Sequence, residues 1–267
     1  MKAITWVLGL SLLAAMPARA EEDDAARVAR WGELKHAVFG DRAVSDDGGV
    51  IVLDAPTRAL DASVVPITVT LPGPEKVKAL YIMVDGNPSP LAVTFHFGAA
   101  AAAHVLKTRV RVDQYTLMHA VAETEDGRLF GAERFVKAAG GCSAPSLKDP
   151  QQALARIGQM RLHVEDNAAI EDGRPATAQL LISHPNNNGM QVDQLSHNFV
   201  PARFIQDMQV RYGDTLVFSA DTDISLSEDP AITFDFVPRG SGPLGVEVRD
   251  STKAVFRRSF DLVAAKG

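Results

Sequence analysis

One residue in this chain has the chemistry to hold something covalently. Cys142 is the only cysteine among 267 residues, set in Ala138–Ser146, "AAGGCSAPS". A thiol works through its thiolate, which attacks or is attacked and keeps the adduct as a covalent bond. A catalytic cysteine also needs a base, yet the nearest histidines in sequence are His119 and His163, well outside the segment. Gly140 and Gly141 remove side chains and open backbone angles closed to other residues. This pattern suits a carrier, with Cys142 bearing the adduct on a flexible arm of Gly140, Gly141 and Ser143 while a partner supplies the catalysis. The plain alternative is a glycine-rich linker with an incidental cysteine. An exposed free thiol cross-links and oxidises where disulfides form, which argues for use.

The other chemistry-bearing residues point to no metal or cofactor site. His96 alternates with Phe95 and Phe97 and is expected at the surface; His184 precedes Pro185 and a turn, where local hydrogen bonds suffice. His119 and His163 fall in strand patterns, His36 in a helix, and His104 and His197 in loop contexts. No two share the spacing of metal ligands. Asp221, Asp223, Glu228 and Asp229 read as a solvated acidic loop, lacking the glycine and spacing of a calcium loop. Arg109 and Arg111 alternate with valines on one strand face, read as solvated; holding an anionic adduct near the arm is the second reading. No C-x-x-C-H and no G-x-G-x-x-G is present, so neither a haem nor a dinucleotide is expected.

The first twenty residues set the expected compartment. Lys2 gives a basic start, Ile4–Ala15 is apolar, and Ala18-Arg19-Ala20 has the A-x-A form of a signal-peptidase site. Residues 1–20 are read as a Sec signal peptide, without a twin-arginine motif, and the protein as periplasmic. The apolar stretch is too short to span a bilayer, and none later is long enough. Removing residues 1–20 takes Lys2 and Arg19 from 27 basic side chains and leaves all 33 acidic ones, so the net charge moves from −6 to −8. That balance argues against nucleic acid and anionic membranes, and weakly favours basic partners such as c-type cytochromes.

The elements that must position Cys142 are mostly strands. Val28, Trp31, Leu34, Val38 and Phe39 recur at helical spacing before Gly40. The period then switches to two: Val50–Leu53, Ile67–Leu71, Ala79–Val84, Leu91–Phe97, Arg109–Val112, Tyr115–Glu123 and Leu129–Val136 read as strands. Ala99–Ala103 is expected to be a loop. After the thiol segment, Asp149-Pro150 starts a short helix closed by Gly158. Strands follow at Met160–Val164, Thr177–Ser183, Gln209–Tyr212, Thr215–Phe218 and Ile232–Val237, then a hairpin of Leu244–Arg249 and Ala254–Phe260. The expected fold is all-β: two β-sandwich domains in tandem, residues 21–145 and 146–267, paired within the chain, with an N-terminal helix and a short interdomain helix.

The first unit resembles SoxY of the SoxYZ sulfur carrier of thiosulfate oxidation. The resemblance is carried by "NPSPLAVTFHF" (87–97), "TRVRVDQYTLMHAVAETEDGRLF" (108–130) and "GGC" at Gly140–Cys142. The second resembles SoxZ through "LLISHP" (180–185) with Gly189, "YGDTLVFSADTDISLSEDPAITFDF" (212–236) and the final hairpin. The resemblance implies immunoglobulin-like sandwiches, a sulfur intermediate bound to Cys142, no enzymatic activity of the carrier itself, and Sox-type enzymes as partners. Chains fusing both halves are similar to SoxYZ-like carriers associated with quinoprotein (pyrroloquinoline quinone) dehydrogenases. This implies a periplasmic alcohol dehydrogenase system as a partner, a role not confined to thiosulfate oxidation, and a cargo on Cys142 that is a sulfur compound or another intermediate. The family's arm reads Gly-Gly-Cys-Gly-Gly and ends there, whereas this one continues as Ser143-Ala144-Pro145. About ten mobile residues tethered at both ends protrude at most roughly 15–18 Å.

Competing readings remain at this level: an accessory binding protein with an incidental thiol, a thiol enzyme whose base is brought by the fold, and a redox sensor dimerising through Cys142.

Overall fold

The computed structural model describes residues 24–46, 48–73, 75–145, 150–165, 170–194 and 196–262. The proposed signal peptide and the Asp149 helix cap lie outside them. Helix α1 (Asp24–Phe39) precedes β1 (Val44–Asp46), β2 (Val52–Asp54), β3 (Val65–Thr70), β4 (Val77–Val84), β5 (Leu91–Phe97), β6 (Ala101–Val110), β7 (Thr116–Thr124) and β8 (Leu129–Val136). The second half holds α2 (Pro150–Ala155), β9 (Met160–Val164), β10 (Ala176–Ile182), β11 (Ile205–Tyr212), β12 (Thr215–Thr222), β13 (Ala231–Phe236), β14 (Leu244–Asp250) and β15 (Val255–Phe260).

The two halves share both of their sheets. One has nine strands in the order β1-β8-β7-β4-β5-β12-β11-β14-β15, the other six in the order β2-β3-β6-β13-β10-β9. The junction is therefore made twice by backbone hydrogen bonds. In the larger sheet Phe97 faces Phe218 and Phe95 faces Ala220; in the smaller, Leu106 faces Phe234. Phe95, Phe218 and Phe234, all buried, meet edge-on with ring centroids 5.5 and 5.1 Å apart. A single apolar core runs from Val50 to Val248 across both halves. Edge pairing leaves no unpaired strand at the join, the exposed hydrogen-bonding rim that isolated sandwiches must otherwise protect.

Helix α1 covers the outer face of β4, β7 and β8. Trp31, Leu34 and Val38 pack on Met83, Val121 and Leu129, with Phe39 buried among them. The Trp31 ring stacks on His119 at 3.7 Å, and His119 lies between Asp85 (3.0 Å) and Glu133 (3.1 Å). Gly40, at φ +65°, ends the helix, its N–H bonded to His36 O.

Three sequence expectations are corrected, and one strand is new. The alanine run is strand rather than loop from Ala101, and β6 carries His104 with it, because cross-strand pairing (Ala101 with Phe236) overrides alanine's weak strand preference. Val44–Asp46 forms an unforeseen strand, held by parallel pairing with β8. Asp221 and Thr222 end β12 instead of lying in a loop, and Thr222 is buried with its hydroxyl donating to Ile205 O. The face shared by Arg109 and Arg111 is not solvated: Arg111 is buried and Arg109 half-buried.

Candidate functional site

The thiol segment is a continuation of the sandwich. Beyond β8, Lys137 makes a parallel bridge to Arg58 and its N–H reaches Thr57 O. Gly140 N–H then bonds Asp113 O (2.8 Å), and Gly141 N–H bonds Val112 O (2.9 Å). The chain is thus laid along the tail of β6. Gly140 takes φ +78°, a left-handed conformation that glycine adopts without strain. Gly141 is required for a different reason: a Cβ there would collide with the carbonyl oxygens of Ala62 and Val112. Ser143 donates from Oγ back to Gly140 O at 3.3 Å.

Cys142 itself is buried, with 1 % of its surface exposed. Burial, with Asp113 nearby, pushes its thiol up to about 12, and Arg111 opposes this only in part. Near neutral pH the sulfur is therefore a protonated thiol. No histidine or carboxylate is hydrogen-bonded to it among the described residues. The arrangement stores a thiol and supplies no base to activate it.

Two side chains hold the segment from beneath. Asn188, in the turn-rich loop of the second half, donates from Nδ2 to Cys142 O at 2.6 Å. Arg111 donates from Nη1 to Gly141 O and from Nη2 to Asn186 O, both at 3.3 Å. Asn186 is buried at φ +44° and ties the loop to Leu226, Ser227 and Ile205. The thiol therefore sits where both halves meet. On the first-half side, Asn87 donates to Arg111 O and Ser225 Oγ and accepts from Asp113 N–H, fixing the β6 tail.

Of the two arginines, Arg111 is 1 % exposed, while Arg109 is half-buried and donates to Asp229 O. The alternation with valines was legible in the sequence; the covering of that face by the thiol segment and the loop after His184 was not. Asn188 gave no signal beyond turn chemistry. His184 is fully buried, accepts Asn186 N–H at Nδ1, and faces Asp250 across 3.5 Å from Nε2. Burial holds its pKa below the ordinary histidine range, so it is a neutral Nε2–H imidazole. His96 meets Asp221 at 3.0 Å on the surface. Among the described residues no cluster of His, Cys, Asp and Glu is arranged to hold a metal, and no helix is long and apolar enough to cross a membrane.

Two family models match in tandem: "Sulfur oxidation protein SoxY" over residues 35–142, ending on the thiol residue, and "Sulphur oxidation protein SoxZ" over residues 164–261. The chain belongs to the SoxYZ family, as a fused SoxY–SoxZ-like carrier. These are sulfur-oxidation carrier proteins that work with partner enzymes, and both halves are immunoglobulin-like sandwiches. No curated protein matches the chain. Among solved structures, the sulfur carrier protein SoxY from Chlorobium limicola f thiosulfatophilum aligns at 23 % identity and TM-score 0.37, covering 43 % of this chain and 96 % of that one. A β-glycosidase from Bacteroides vulgatus aligns at 8 % identity and TM-score 0.22, covering 79 % of this chain and 24 % of that one. A glycosyl hydrolase family 2 member from Bacteroides cellulosilyticus DSM 14838 gives 11 % and 0.23, covering 85 % and 30 %. At these scores none of the three supports a conclusion.

Proposed function

We propose that this SoxYZ-like chain is a periplasmic, non-enzymatic carrier holding a sulfur compound on Cys142 and presenting it to partner enzymes of a quinoprotein dehydrogenase system. The observation that carries the reading is the position of the thiol: the one cysteine of the chain ends the SoxY match and is stored, protonated, at the junction of the halves. Presentation requires the arm to leave its seat. Its contacts there are suited to that, being backbone hydrogen bonds, one long guanidinium bond and one amide clamp, with no covalent tie. The periplasmic location rests on the A-x-A pattern at Ala18–Ala20, and the dehydrogenase association on the fused arrangement of the halves.

The burial of the thiol also favours a second reading, an accessory protein of the same system with Cys142 incidental. Intact mass of the protein isolated without reductant, beside Cys142→Ser, separates the two. A discrete adduct on the wild type and none on the variant supports the carrier. A free thiol while the dehydrogenase is active supports the accessory protein, and a disulfide dimer would indicate a redox sensor.

A further inference from the structure

Arg111 is a buried cation with no carboxylate in direct contact among the described residues. It forms no ion pair with any described residue, and its hydrogen bonds, to Gly141 O and Asn186 O, use neutral carbonyls at a long 3.3 Å. Its Nε is buried and has no hydrogen-bond partner among the described residues. Glu228 and Asp61 act on it only at longer range, and burial disfavours its charged form. A guanidinium so placed is destabilising unless something compensates it. The neighbouring sulfur does not, since Cys142 is a neutral thiol. A second unsatisfied donor belongs to the same network: Gln191, 2 % exposed, accepts Asn188 N–H at Oε1, which fixes its amide orientation and leaves Nε2 without a partner among the described residues. These two unfilled positions are donors, and Asn188 is the residue that clamps Cys142. Donors without acceptors, one of them charged, describe half of an anion site.

We propose that Arg111 forms an anion subsite for the adduct on Cys142, so that the retracted arm holds negatively charged cargo more tightly than neutral cargo. The inference rests on the carrier reading for its meaning, but its test does not. The adduct is made chemically, so the subsite stands or falls whether or not a cell loads this thiol.

Two adducts are compared on the same chain, each installed in urea, verified by intact mass, and refolded. With tetrathionate the Cys142 thiolate attacks an inner sulfur and the central S–S bond breaks. Thiosulfate leaves with the electron pair, and the cysteine becomes the anionic Cys–S–S–SO3⁻ as tetrathionate is reduced. With methyl methanethiosulfonate the thiolate displaces methanesulfinate and becomes the neutral Cys–S–S–CH3. One recovered charge-assisted contact raises the melting midpoint of the anionic adduct above that of the neutral one by about 4 °C or more. In Arg111→Met and Arg111→Gln the difference collapses. Two variants are used so that one failing to fold leaves the other, and each is judged only by the difference between its own two adducts. Equal midpoints, a less stable anionic adduct, or a difference that survives loss of Arg111 would each overturn the proposal.

Discussion

Asp250 and Arg111 are both buried charges near the loop after His184, and they are treated in opposite ways. Asp250 is saturated. It accepts Arg203 Nε at 2.8 Å, the Thr252 hydroxyl, and backbone N–H groups of Thr252 and Ala254. Burial alone would raise its pKa, but these donors hold it down to about 2. Arg111 has two carbonyls and a spare N–H. The first carboxylate fastens the β14–β15 turn; the second charge is kept available. A buried ion becomes structural when its partners are complete, and incomplete partners mark a place where something else is expected.

The sharpest break of this comparison is chemical. At pH 8 the native Cys142 thiol should react with iodoacetamide about a thousandfold more slowly than the same thiol in the urea-unfolded chain, from the rise to about 12 alone. A rate within tenfold of the unfolded chain would show that the thiol is not stored as described.

Next in size is stability. Asp250→Ala leaves Arg203 and two backbone N–H groups unpaired and should cost about 3–5 kcal/mol in urea unfolding. Arg111→Met replaces an uncompensated charge with an apolar side chain, and the unloaded protein should lose less than about 1 kcal/mol or gain stability. Equal losses would remove the distinction between the two sites.

The smallest effect is in pH. Because the folded pKa of Asp250 is depressed, its contribution of about 2 kcal/mol is present above pH 3.8 and fades as pH falls toward 2. Cys142 is raised instead, so its contribution is complete below pH 9 and is lost as pH climbs toward 12. Asp250→Asn should flatten the acid limb of a stability–pH curve, and Cys142→Ser the alkaline one. An unchanged limb in either variant would show that its pH dependence belongs to other groups.

Strand content was legible because the two-residue period is local. Leu91–Phe97, Leu129–Val136 and Met160–Val164 emerge with the bounds read from the sequence. What pairs with what was not, since the Phe97–Phe218 and Leu106–Phe234 registers depend on contacts more than a hundred residues apart. The glycines before Cys142 were legible as glycines, but their use was not: Gly141 answers to the Ala62 and Val112 carbonyls, which no local pattern announces. The same holds for Arg111, whose spacing matches that of a surface arginine until the arm is laid over it.

The shared sheets have a consequence for how such a chain arises. Each half offers the other two strand edges, β5 and β6 against β12 and β13, and one core closes over both. Two separately made polypeptides with those edges would find each other as complementary fragments. Joining them end to end then changes the stoichiometry of assembly without redrawing a single interface. It fixes the ratio of thiol-bearing to supporting partner at one, at every expression level and every dilution.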